Sequence, residues 1–190
     1  MVPSIVLPDA FAHAVGGLRS ITPREEIALE EVPAPQRLAP YAFALGGTVL
    51  RGSEEVSTGR LILLHDPAGH PAWNGTLRLV TYVTAELEPE LAADPLLPAV
   101  GWSWLVDALD TQDARYTAIG GTVTQTVSTR FGDLTGPPPA TDIEVRASWT
   151  PLDDDLSTHL YAWCGLLAST AGLPPPGVTA LPERRPAGAA

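Results

Sequence analysis

Residues 141–150 alternate apolar and polar side chains with little interruption: Ile143, Val145, Ala147 and Trp149 on one side, Glu144, Arg146 and Ser148 on the other. A period of two predicts a strand with one face on a core and the other toward water or a ligand. The stretch 115–131 repeats the pattern, with Ile119, Val123, Val127 and Phe131 on one side, and GPPPA at 136–140 is read as the hairpin loop between the two. Three further strands are predicted at about 42–51, 60–66 and 76–84, separated by the turn-rich segments GSEEVSTG and PAGHPAWNG. Connections this short favour antiparallel neighbours.

The period changes to that of a helix in three places. Phe11, Val15 and Leu18 share a face behind Asp9, a candidate cap; Trp102, Leu105, Val106 and Leu109 share one over about 98–110; Leu156, Leu160, Trp163 and Leu167 form a stripe after the acidic PLDDDL. PELAAD reads as a short helical turn, and the proline-rich 30–40 as an extended lead into the first strand. The predicted fold is therefore α+β: a single domain with a mostly antiparallel sheet of about five strands and about three helices packed on one face. Residues 1–30 form the N-terminal helix and lead, 31–173 the core including the C-terminal helix, and 174–190 a flexible Pro/Ala-rich tail. The six-residue match ALGGTV at 44–49 and AIGGTV at 118–123 does not extend into its neighbours, and is read as convergence on paired strand glycines.

Composition narrows the functional classes. The chain has 190 residues, 45% of them apolar, which suffices for one sizeable core. Its 22 carboxylates face 11 basic residues, all arginine, for a net charge of −11. Clustered cations are what phosphate backbones require, so direct nucleic-acid binding is disfavoured. The single cysteine, Cys164, excludes an internal disulfide and multi-cysteine metal frameworks within one chain, and fits a reducing cytoplasm. No basic start with an unbroken apolar core opens the sequence, and no apolar run reaches the length of a membrane helix.

The candidate chemistry is sparse. His65, Asp66 and His70, with Trp73 close behind, have the density of a metal site or a hydrolase pocket. Yet His65 and Asp66 diverge at a strand end, and Asp66 before Pro67 and Gly69 fits a turn whose carboxylate accepts backbone hydrogen bonds. The turn is the preferred reading; a small-molecule or metal-assisted hydrolase pocket is the alternative, and no metal or cofactor is assigned. Trp102 and Trp104 lie about 200° apart on a helix, so Trp104 is left at an edge, either as a partner or pocket wall or beneath the PELAADPLLP segment. Cys164 reads as a small buried thiol and His159 as a solvated helix residue. Aligned strands would gather Arg78, Tyr82, Thr124, Thr126, Arg130, Glu144 and Arg146 on one polar surface able to bind a small anion or a peptide.

Four long phrases carry a resemblance: VPAPQRLAPYAFAL, TGRLILLHDPAGHPAWNGTLRLVTYVTAELEPELAADPLLPAVGWSW, EVRASWTPLD and HLYAWCGLLASTAGLPPP. Over roughly residues 30–176 the chain resembles an actinobacterial family of uncharacterised proteins, domain of unknown function 3000. The resemblance implies an actinobacterial, cytoplasmic protein and brings with it no reaction, cofactor or catalytic residue. The expectation is a non-enzymatic interaction or regulatory domain with a protein partner, a small molecule being the other ligand class, and no membrane.

Overall fold

The computed structural model describes residues 7–136 and 138–175. In chain order the elements are α1 (Asp9–Arg19), β1 (Ile27–Glu31), β2 (Tyr41–Arg51), β3 (Glu54–His70), β4 (Gly75–Leu87), the one-turn α2 (Pro89–Ala92), α3 (Leu97–Thr111), β5 (Tyr116–Ser128), β6 (Ala140–Pro151) and α4 (Ser157–Thr170). The strands form one six-stranded antiparallel sheet in the order β1-β2-β3-β4-β6-β5. Helices α1, α3 and α4 cover one face of it. The fold is thus α+β, with six strands where about five are expected. The additional strand, β1, turns only Ile27 and Leu29 toward the core, too short a pattern to stand out from a charged lead.

The core lies between sheet and helices. Leu63, Leu79 and Trp149 form one cross-strand row, and Leu61, Thr81 and Ala147 the next. Against these rows α4 lies buried on most of its circumference, because the sheet is on one side and α1 and α3 are on others. Two of its polar side chains are paired inside: Trp163 Nε1 donates to Thr81 Oγ1 at 2.7 Å, and the Thr170 and Ser57 hydroxyls meet at 2.8 Å. The two GGTV segments share a packing device, since in each the second glycine lies beneath a tryptophan. A Cβ on Gly47 would stand 2.7 Å from the Trp163 ring, and one on Gly121 2.8 Å from Trp102 as well as inside the Arg146 carbonyl.

Several boundaries differ from the sequence reading. GSEEVSTG, read as a turn, is mostly strand, with Gly52 and Ser53 alone between β2 and β3 and Gly52 at φ +66°. Strand β5 ends at Ser128 instead of 131. Val127 is 62% and Phe131 78% exposed, because the helical layer reaches only as far as Val123 and Gln125. Asp9 sits inside the first turn of α1, after Pro8, and makes no capping bond; Asp155 accepts the Ser157 N–H at 2.9 Å before α4. The tail from 176 onward and the first six residues lie outside the described residues.

Candidate functional site

No helix among the described residues covers the opposite face of the sheet. Side chains at even positions of β3, β4, β6 and β5 point there, and the register sets Arg60, Tyr82, Arg146 and Thr122 in one row across four strands. The next row is Ile62, Val80, Ser148 and Gly120. Together they floor a shallow open depression of about 490 Å³. Tyr82 is 39% exposed, and the Arg146 guanidinium carbon stands 5.3 Å from its ring centroid, a cation–π contact. Arg146 Nε also pairs with Glu144 at 2.6 Å, and Arg60 Nη2 donates to the Pro33 carbonyl at 3.1 Å. Arg19, Arg24, Arg51, Arg115 and Arg146 are all ion-paired. Among the described residues Arg37, Arg60, Arg78 and Arg130 are not, and of these Arg60 and Arg78 belong to this face.

Arg78 is nearly buried there. Its guanidinium donates to the Ala118 carbonyl at 2.8 Å, Thr150 Oγ1 at 3.0 Å and Ser148 Oγ at 2.8 Å. Burial without a counter-charge pushes its pKa down from the arginine value. Ala118 adopts a left-handed backbone, φ +51°, at the irregularity where β5 slips against β6 between Thr117 and Gly120. Arg78 therefore clamps the start of the edge strand and fixes the floor beside Ser148 and Gly120; it is a positioning residue, with its charge largely covered.

The remaining sequence candidates separate. His65 faces inward: Nδ1–H donates to the Thr76 carbonyl at 3.0 Å, and the ring stacks on Phe11 at 6.0 Å and tilts against Tyr41 at 5.9 Å. Asp66 accepts the Ala68 N–H at 3.0 Å and Gly69 takes φ +76°, but the segment is an irregularity within β3 between His65 and His70, and the chain reverses later, at 71–74. His70 is exposed, accepts the Ala72 N–H and stacks on Trp73 at 5.0 Å. One histidine is in the core and the other in solvent, so no pocket gathers His65, Asp66 and His70. Among the described residues no three His, Cys, Asp or Glu side chains are grouped closely enough to hold a metal ion. Arg130 follows the end of β5 and borders a different depression with Arg51, Glu54 and Glu86, so it does not join Arg146. Tyr82, Thr124, Thr126, Glu144 and Arg146 do share the helix-free face.

Trp104 lies away from this face, on the wall of an apolar groove of about 580 Å³ between α3 and α4, with Ala108, Tyr161, Gly165 and Leu173. It forms part of the groove wall. Cys164 borders the same groove but is buried, which pushes its thiol up to about 12. His159 is fully buried instead of solvated. Its Nδ1 accepts the Trp149 indole N–H at 3.1 Å, and Nε2 has no partner at hydrogen-bond distance. Burial pushes the imidazole down to about 4, against the opposing pull of Asp153 and the Arg115 backbone.

With this geometry in place, the comparison with protein families is decisive for kinship: the family model described as protein of unknown function (DUF3000) matches residues 7–179. The chain belongs to the DUF3000 family. No curated protein and no solved structure matches it. No helix among the described residues is long and apolar enough to cross a membrane. The DUF3000 match runs from α1 through α4, so the helix-free face and the α3–α4 groove both lie within family sequence.

Sequence reasoning missed Arg60, Ile62 and Thr122. The alternation in RLILLHD does place Arg60 and Ile62 on one side of a strand. Joining them to Tyr82 and Arg146 requires the register of three strand pairs, which turn lengths alone do not supply.

Proposed function

We propose that this protein is a non-enzymatic, cytoplasmic interaction domain whose helix-free sheet face binds an acidic, partly apolar segment of a partner protein. The observation that carries the reading is the row Arg60, Tyr82, Arg146 and Thr122 on an open face of a chain whose net charge is −11. Carboxylates outnumber arginines two to one over the whole chain, yet two arginines flank an exposed tyrosine here. Arg60 lacks a carboxylate partner, and Arg146 holds one on the rim that a ligand carboxylate can replace. Ile62 and Val80 supply an apolar floor, so a ligand with both acidic and apolar side chains fits better than a bare anion.

The test is selection from a random displayed-peptide library on immobilised protein, run beside the Arg60→Glu/Arg146→Glu variant. Acidic peptides with interspersed aliphatic residues are expected to be enriched by the wild type, and that enrichment is lost in the variant. Absence of enrichment, or enrichment that survives the double charge reversal, would count against the reading. Both side chains are exposed, so the variant is expected to fold as the wild type does.

A further inference from the structure

We propose that the outer edge of β5 is a self-association surface, joining two copies of this chain strand to strand and antiparallel about a two-fold axis near Thr122. This surface is the rim of the sheet and not its open face, so it stands apart from the acidic-segment reading.

Edge strands present unpaired N–H and C=O groups, and natural sheets blunt them with short length, charge, proline or cover. The other edge of this sheet does so. β1 is five residues long, includes Glu30 and Glu31, and runs into Val32 and Pro33. β5 has none of these protections. It is 13 residues long, YTAIGGTVTQTVS, without a charged side chain or a proline, and among the described residues only β6 pairs with it. Most of the strand is exposed.

Three features favour a second copy over a foreign strand. The first is charge: two chains at −11 repel wherever carboxylates approach, and an uncharged 13-residue strand is a place where self-contact carries no such penalty. The second is self-complementarity under a two-fold axis. Thr122, Thr124 and Thr126 point to the open face, and Gly121 and Val123 to the helical face. Antiparallel pairing about Thr122 sets threonine near threonine and Val123 opposite Gly121, combinations that pack and hydrogen-bond without conflict. The third is a set of exposed apolar side chains at the end of the strand and after it, Val127, Phe131 and Leu134 (Leu134 at 72%). In an antiparallel pair these side chains are carried alongside the start of the partner's β5, where Tyr116 is half-buried, and add apolar area to the backbone ladder. Pairing of full-length strands supplies on the order of ten interchain backbone hydrogen bonds. The product is one twelve-stranded sheet from two six-stranded ones. Its helix-free face carries two Arg60–Tyr82–Arg146–Thr122 rows end to end.

Sedimentation velocity of the full chain, from low to high micromolar concentration, tests the inference. The wild type is expected to be a concentration-dependent dimer. Thr122→Lys and Thr122→Glu, each with unchanged circular dichroism, are expected to weaken dimerisation about tenfold or more, as like charges meet across the axis. An equimolar mixture of the two variants is expected to restore the dimer, because opposite charges then face each other. A monomeric wild type, a dimer indifferent to either substitution, or a mixture that stays monomeric would each overturn the proposal.

Discussion

His159 shows how a residue that looks unremarkable in the sequence becomes the most consequential titrating group in the fold. Its ring is buried beside Trp149, and burial lowers its pKa from 6.5 to about 4. Above the unfolded value the imidazole is neutral in both states and the fold has its full stability. As pH falls the unfolded chain takes up the proton first, so stability is lost progressively between 6.5 and about 4 and levels off below. The interval corresponds to about 3 kcal/mol, of the order of what a domain can lose and still fold. His159→Gln keeps an acceptor for the Trp149 N–H and removes the titration. Denaturant unfolding at a series of pH values is expected to show a steeper acid slope in the wild type than in His159→Gln; parallel slopes would contradict the assignment. The sequence disclosed little of this, since one period of helix cannot reveal that α4 is covered on nearly every side. At Asp66 the local signal told only part: the carboxylate makes its backbone bond to the Ala68 N–H, but β3 runs on to His70 and the chain reverses at 71–74.

At the scale of elements, alternation was legible wherever a strand runs under helices along its whole length. Strand β6 is read almost to the residue, and its apolar side is buried from Ile143 to Trp149. Strand β5 has the same alternation but overhangs the helical layer, so Val127 and Phe131 are apolar without being core. Pattern reports what a side chain could bury, and only tertiary placement decides whether it does. The paired glycines illustrate the same point more sharply, because Gly120 and Gly121 look equivalent in the sequence and are not. A Cβ on Gly120 meets nothing within 4 Å, while one on Gly121 collides with the Arg146 backbone and the Trp102 ring. Gly120→Ala is expected to change stability by no more than about 0.5 kcal/mol. Gly121→Ala is expected to cost about 3 kcal/mol and lower the Tm by about 6–12 °C. Thermal melts of the two variants check this, and equal melting temperatures would show that β5 is not held against β6 and α3 as described.

For the whole molecule, the decisive feature is asymmetry between the two faces of the sheet. One is sealed by three helices into the core. The other is left open, with Arg60, Tyr82 and Arg146 aligned on an otherwise acidic protein. The class of fold follows from periodicity and connection length, and so does the existence of a polar face. Its composition as a row does not, because register and strand order are collective properties of six strands. The most direct measurement is an NMR titration of isotope-labelled protein with a synthetic amphipathic peptide of glutamate and leucine. Amide shifts are predicted to concentrate at Arg60, Tyr82, Thr122 and Arg146 and to fade as salt is raised. Shifts confined to Trp104, Tyr161 and Gly165 in the helix groove, or no shifts at all, would contradict the account.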